Sequence, residues 1–179
     1  FVCSPNNPTG NAFPVAQILT LAERFDGMLV VDEAYIDFSS ERSLTEYLAE
    51  YPNLIVLQTL SKAYGMAALR LGLAFGDQRT MGMFANVKYP YNVSLAAMEK
   101  AMGLLRRDVA AEVSVIKSER IRIAEALSKL PRVRKVWPSD ANFLLVEVDD
   151  ARGLYNELLD AQVIVRDRSK VQGCAGCLR

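Results

Sequence analysis

The chain of 179 residues contains no histidine. That absence removes Ser-His-Asp and Cys-His nucleophile systems and nearly every catalytic zinc or non-haem iron site, so no metal centre is expected. Cysteine is scarce too: Cys3, Cys174 and Cys177 are too few for a disulfide framework or, without histidine, for a four-ligand zinc site. Cys174-Ala-Gly-Cys177 has dithiol spacing, but it lies in a glycine-containing stretch rather than at a helix start after a strand, which argues against thioredoxin-type chemistry. No apolar run approaches the roughly 20 residues that cross a bilayer. Neither sign of charge is in excess, with 21 basic and 21 acidic residues, so no global field draws the chain to nucleic acid or an anionic membrane. Phosphate-loop and dinucleotide fingerprints are missing as well. The opening FVCSPNNPTG has neither the basic start nor the apolar stretch of a signal peptide, and the cytosol is the expected compartment.

What is present is enough apolar material, 51% of residues, to bury a core. Short apolar runs alternate with helical periods, the pattern of α/β architecture. Phe1-Val2-Cys3 reads as the end of a strand. Pro14 stands where a helix can begin, with Val15, Ile18, Leu19, Ala22 and Phe25 on one face and Gly27 beyond it. Met28 to Val31, closed by Asp32, and Leu54 to Leu57, after a helical stretch from Leu44 to Glu50, read as parallel strands buried on both faces. In such sheets ligands bind beyond the carboxyl ends of the strands. Ser4 to Asn11, Asp32 to Tyr35 and Thr59 to Gly65 are therefore the segments where a site is expected.

From about Ser94 one helix leads into a longer one, whose stripe of Val109, Val113, Ile116, Arg120, Ile123, Leu127 and Leu130 steps by four and three. Strands are expected over Val133 to Trp137, Phe143 to Val148 and Val163 to Val165, with a helix from Leu154 to Ala161. Basic residues from Arg106 to Lys135 are interleaved with acids and read as a solvated helix surface. The division expected is residues 1–92 in a large domain and 93–179 in a connecting helix and smaller α+β domain.

Thr59-Leu-Ser61-Lys62-Ala-Tyr64-Gly65, with Arg70 eight residues after Lys62, carries the chemistry. A lysine just after a buried strand, among hydroxyls and small residues, suits attachment to an aldehyde. An arginine returning to the same edge offers a planar fork for a phosphate. Asp32, Tyr35 and the Ser4-Pro-Asn-Asn7-Pro8-Thr9-Gly10 turn stand after neighbouring strands. These three motifs, 25 residues from Asn7 to Asp32 and 30 from Asp32 to Lys62, resemble the fold-type I pyridoxal-phosphate aminotransferases. Their wording is most similar to the histidinol-phosphate branch of that family.

The resemblance implies pyridoxal 5'-phosphate as cofactor and, residue by residue, the following roles. Lys62 would hold it covalently and then shuttle a proton; Asp32 would pair with the pyridine nitrogen. Asn7 and Tyr35 would hydrogen-bond the ring's 3'-oxygen, while Thr59, Ser61 and Arg70 would hold the phosphate. Arg179 would take the substrate α-carboxylate and Arg166 the substrate's phosphate, although Arg168 sits two residues on. Asn142 before Phe143 resembles a structural Asn-Phe of the small domain. Gln58 stands where related sequences often carry a basic residue.

The resemblance further implies part of a longer protein, the C-terminal half of a large domain plus an incomplete small one, active as a homodimer on small molecules. Without its upstream half, this piece is expected to be inactive and to leave an unpaired sheet edge. Histidinol phosphate and 2-oxoglutarate are the implied substrates. Aromatic aminotransferase or threonine-phosphate decarboxylase activity is the alternative within the subgroup, and a non-catalytic α/β binding domain is the alternative outside it. Against the last stands the cost of burying Asp32, Lys62 and Arg70 together without a ligand.

Overall fold

The computed structural model describes residues 1–179 and is a mixed α/β fold with two sheets. The first sheet holds β1 (Val2–Cys3), β2 (Leu29–Asp32), β3 (Leu54–Thr59) and β4 (Gly72–Gly76), in that order. β1, β2 and β3 run parallel, whereas β4 returns antiparallel to β3 with Thr59 opposite Gly72. Their apolar runs are buried as expected: Val31, Leu54 and Val56 have no exposed surface. Helix α1 (Val15–Arg24) packs Ile18 and Ala22 onto this sheet. Phe25 does not join that face; it caps the helix end and is 50% exposed. The expected helix from Leu44 to Glu50 forms only a 3-10 turn, Leu44–Tyr47, which still buries Leu44 in the core.

Helices α2 (Gln78–Val87) and α3 (Leu95–Leu104) follow, capped by Asp77 and Ser94. The long helix α4 (Ala110–Leu127) then leads to the second sheet, antiparallel in the order β5 (Val133–Val136), β6 (Val146–Val148), β7 (Cys177–Leu178), with α5 (Ala151–Asp160) packed on it. The apolar stripe of α4 does not become buried core; Ile116, Ile123, Leu127 and Leu130 line a groove of about 620 Å³ facing this sheet. What fastens α4 is polar. Arg120 Nη1 donates to the Ala141 carbonyl at 2.6 Å and the Phe38 carbonyl at 3.4 Å, and Lys117 Nζ donates to the Ser39 carbonyl at 3.1 Å.

Val163 to Val165 is not a strand. Gln162 adopts a left-handed conformation (φ 62°) at the end of α5, and Ile164 is left 82% exposed. The ladder is taken instead by the residues just beyond: Arg166 and Arg179 exchange two backbone hydrogen bonds of 2.9 Å, and Asp167 pairs with Leu178.

Candidate active site

The parallel strands bring their carboxyl ends to one edge of the first sheet, and β4 begins at that same edge. Residues following β1, β2 and β3, together with those just before β4, therefore gather there. This accounts for Asn7, Asp32, Tyr35, Thr59, Ser61, Lys62 and Arg70 lying at one end of the sheet although 63 positions separate the first from the last.

Asp32 ends β2 half-buried, with Oδ1 accepting from the Ala34 amide at 2.9 Å and Oδ2 uncommitted among the hydrogen bonds formed. Tyr35 is buried in a small cluster with Phe38 and Ala141, and its ring meets Phe143 edge-on at 5.2 Å. The Lys62 ammonium lies 5.3 Å from the Tyr35 ring centre. Lys62 is exposed rather than buried, so the burial expected from its place after a buried strand is not met in this chain. Thr59 Oγ1 bonds Ser61 Oγ at 2.9 Å and the Leu71 carbonyl at 3.2 Å, tying the lysine-bearing turn to the strand that follows. Arg70 has a left-handed backbone (φ 55°), and its Nη1 donates to the Ala67 carbonyl at 3.0 Å, leaving the rest of the guanidinium free of protein partners.

The second sheet supplies the opposite wall. Arg179 Nη1 donates to Asn7 Oδ1 at 2.6 Å, and its guanidinium stacks 4.7 Å from the Phe143 ring centre. Burial lowers the Arg179 pKa, the like charges of Arg168 and Arg166 add to this, and the Tyr35 phenol opposes it. The Asn7 loop is itself docked on the small sheet's approach: the Asp140 amide donates to the Gly10 carbonyl at 2.7 Å, and Asp140 Oδ2 accepts from the Ala12 amide at 3.0 Å. Gly10, at φ 80°, is required there, since a Cβ would stand 2.5 Å from Ser139 Oγ.

Arg166 is not gathered into the Asn7–Tyr35–Lys62 cluster. It is exposed and joins the site only through its backbone pair with Arg179. Two residues that matter to the arrangement were not singled out by their sequence. Phe143, read only as part of a structural Asn-Phe pair, forms the ring wall between Tyr35 and Arg179. Glu33 is 2% exposed and accepts from the Leu44 amide, the Ser43 hydroxyl and the Gln58 amide at 2.7, 2.7 and 2.9 Å. Gln58 thus serves as a neutral donor to a buried carboxylate beside Asp32, which gives that position a structural role. Cys174 and Cys177 are both free and buried beside Leu145 and Trp137.

The donor set matches a phosphorylated aldehyde with a basic ring nitrogen: an amine for the aldehyde, a carboxylate for the ring, amide and phenol donors, and two hydroxyls with an arginine for the phosphate. Arg70 and Asn7 are exposed at this edge, with most of the guanidinium and Asn7 Nδ2 uncommitted to protein acceptors, which fits such a group.

The 179 residues are 48% identical to a protein of Parabacteroides distasonis named histidinol-phosphate aminotransferase, with all of this chain aligned to 52% of that one. Among solved structures, the histidinol-phosphate aminotransferase of Sinorhizobium meliloti in complex with pyridoxal-5'-phosphate superposes with a TM-score of 0.87 at 27% identity, over 99% of this chain and 50% of that one. The L-threonine-O-3-phosphate decarboxylase of Porphyromonas gingivalis superposes at 0.88 and 26%, over 99% and 57%. The chain therefore spans about half the length of the relatives it matches. The model of the aminotransferase class I and II family covers residues 1–179, and the chain belongs to that family.

Proposed function

We propose that the complete protein transfers an amino group between histidinol phosphate and 2-oxoglutarate, with pyridoxal 5'-phosphate held at the sheet edge described above. The observation that carries this reading is the convergence of the Lys62 amine, Tyr35 ring, Asn7 amide and Arg179 guanidinium from two sheets onto one point. Bound there, the cofactor supplies an aldehyde for the amine and a ring that accepts the electron pair left when a substrate proton is removed. Lys62 Nζ would hold the group covalently and, when free, would take a proton from the substrate carbon. Asp32 would pair with the ring nitrogen. Asn7 Nδ2 and the Tyr35 hydroxyl would donate to the ring oxygen, while Thr59, Ser61 and Arg70 would hold the phosphate. Arg179 takes the carboxylate of glutamate or 2-oxoglutarate, and Arg166 the phosphate of histidinol phosphate.

The whole protein acts in this reading as a cytoplasmic homodimer. Residues 1–92 belong to its cofactor-binding domain and 93–179 to the connecting helix and small domain. The test is to incubate the full-length protein with histidinol phosphate and 2-oxoglutarate and follow glutamate and imidazole-acetol phosphate. A second reading, decarboxylation of threonine phosphate, is favoured by the overlay with the Porphyromonas gingivalis enzyme. Release of carbon dioxide from threonine phosphate, with no glutamate formed, would select it.

A further inference from the structure

The hydrogen bonding around the last residues fixes more than the place of Arg166. Arg166 and Arg179 exchange both backbone bonds, Asp167 lies opposite Leu178, and the Arg168 amide donates to the Cys177 carbonyl at 2.9 Å. In such an antiparallel register residues directly opposite share a face, and positions two apart along the chain return to it. Arg166, Arg168 and Arg179 therefore stand on one face, and Asp167 with Leu178 on the other. Both faces are covered near this point: Leu178 packs with Val148 and Ala151, while Cys177, opposite Arg168 on the arginine face, is buried beside Leu145 and Cys174.

Three guanidinium groups on one face call for negative charge, and the chain provides none at contact distance. None of the five ion pairs formed includes any of the three. The nearest acid in sequence, Asp167, points away and accepts from the Ser169 amide at 2.9 Å. Arg168 is the telling member: its Nε is fully shielded from solvent yet has no acceptor. A shielded, unpaired donor on a charged group costs stability unless something accepts from it. Arg179, by contrast, is already engaged with Asn7 and the Phe143 face close to Lys62. One arginine suffices for a carboxylate, whereas a phosphate dianion presents three oxygens and is best met by two forks.

We propose that Arg168 is a third substrate-binding arginine, which shares with Arg166 the phosphate end of the amino substrate while Arg179 keeps the carboxylate end. This rests on the reading of the substrate given above. In that division the two positions two residues apart, about 7 Å along an extended chain, grip opposite sides of one phosphate. The like-charge pressure that Arg168 exerts on Arg179 is relieved when the anion arrives.

The test uses the full-length holoenzyme with R168Q and R168K. Steady-state constants are measured for histidinol phosphate and for glutamate, and inorganic phosphate is titrated as a competitive inhibitor against histidinol phosphate. R168Q is expected to raise the KM for histidinol phosphate about tenfold or more and to weaken phosphate inhibition to a similar degree. The KM for glutamate and both kcat values should stay within about twofold. R168K, which keeps the charge without the fork, should fall between. An equal loss toward both substrates would make Arg168 structural and overturn the proposal, as would a wild-type KM for histidinol phosphate in either variant. Should R168Q not fold, R168K decides by the same split. An enzyme inert toward histidinol phosphate whose phosphate affinity still falls in the variants would keep the anion site and overturn the substrate; normal turnover with unchanged variants would do the reverse.

Discussion

Glu33 shows how one residue can hold two others in place. Its carboxylate lies between Asp32 and Tyr35 in sequence, is sealed from solvent, and is satisfied entirely by neutral donors from Ser43, Leu44 and Gln58. Substituting Glu33→Ala leaves the buried Leu44 amide without an acceptor, while Ser43 Oγ and Gln58 Nε2 keep hydrogen bonds to Thr45 and to each other. The loss is expected to be about 1–3 kcal/mol of unfolding free energy, the cost of an unsatisfied buried amide. Chemical denaturation of the full-length protein would measure it, and a change under about 1 kcal/mol would show that the network is not structural. The sequence did not reveal this role. Lys62, Asp32 and Thr59 were legible because each closes or follows an apolar run, a local signal. Glu33 depends on partners 10 to 25 positions away that no local pattern links to it. Arg168 was noticed only as a rival to Arg166; the strand register, not the spacing, puts both on the same face as Arg179.

At the scale of elements, two loops decide whether the site closes. The Asn7 loop is bound to the Ser139–Ala141 turn through Gly10 and Asp140, and Arg120 of α4 anchors the same turn through the Ala141 carbonyl. Gly10→Ala would combine a left-handed backbone strain with a Cβ driven into Ser139. We expect about 2–3 kcal/mol of destabilisation, and because Asn7 moves with the loop, a raised KM for the dicarboxylate that Arg179 is proposed to bind. A G10A enzyme with wild-type stability and KM would show that this contact is not rigid. The elements themselves were read well wherever hydrophobic period and caps agreed, as at α1, β2, β3 and α3. They were misread where composition alone was used. Val163 to Val165 is a β-branched run, but the left-handed turn at Gln162 shifts pairing beyond it, so the ladder falls on Arg166 to Arg168. The α4 stripe was periodic as expected yet faces a groove, because periodicity states which residues share a face and not what covers it.

For the whole molecule, the exposed apolar surface is the conspicuous property. Val87, Tyr89 and Tyr91 are 80, 84 and 94% exposed, and β4 is an edge strand whose Leu73 is 39% exposed. Unpaired edges and apolar patches of this kind promote association. The 179 residues produced alone should therefore elute as dimers or larger species in size-exclusion chromatography with light scattering. A stable monomer at tens of micromolar would contradict that expectation. The α/β class and the family were both legible in three motifs in register, since each motif marks the end of a different parallel strand and the fold places those ends together.

The central claim is that Lys62 carries the cofactor at the meeting point of the two sheets. The most direct measurement is the intact mass of the full-length protein after incubation with pyridoxal phosphate and borohydride reduction, followed by peptide mapping, for wild type and Lys62→Ala. The account predicts one cofactor mass per chain, located on Lys62 and absent from the variant. An unmodified wild type, or an adduct that persists in Lys62→Ala, would contradict it.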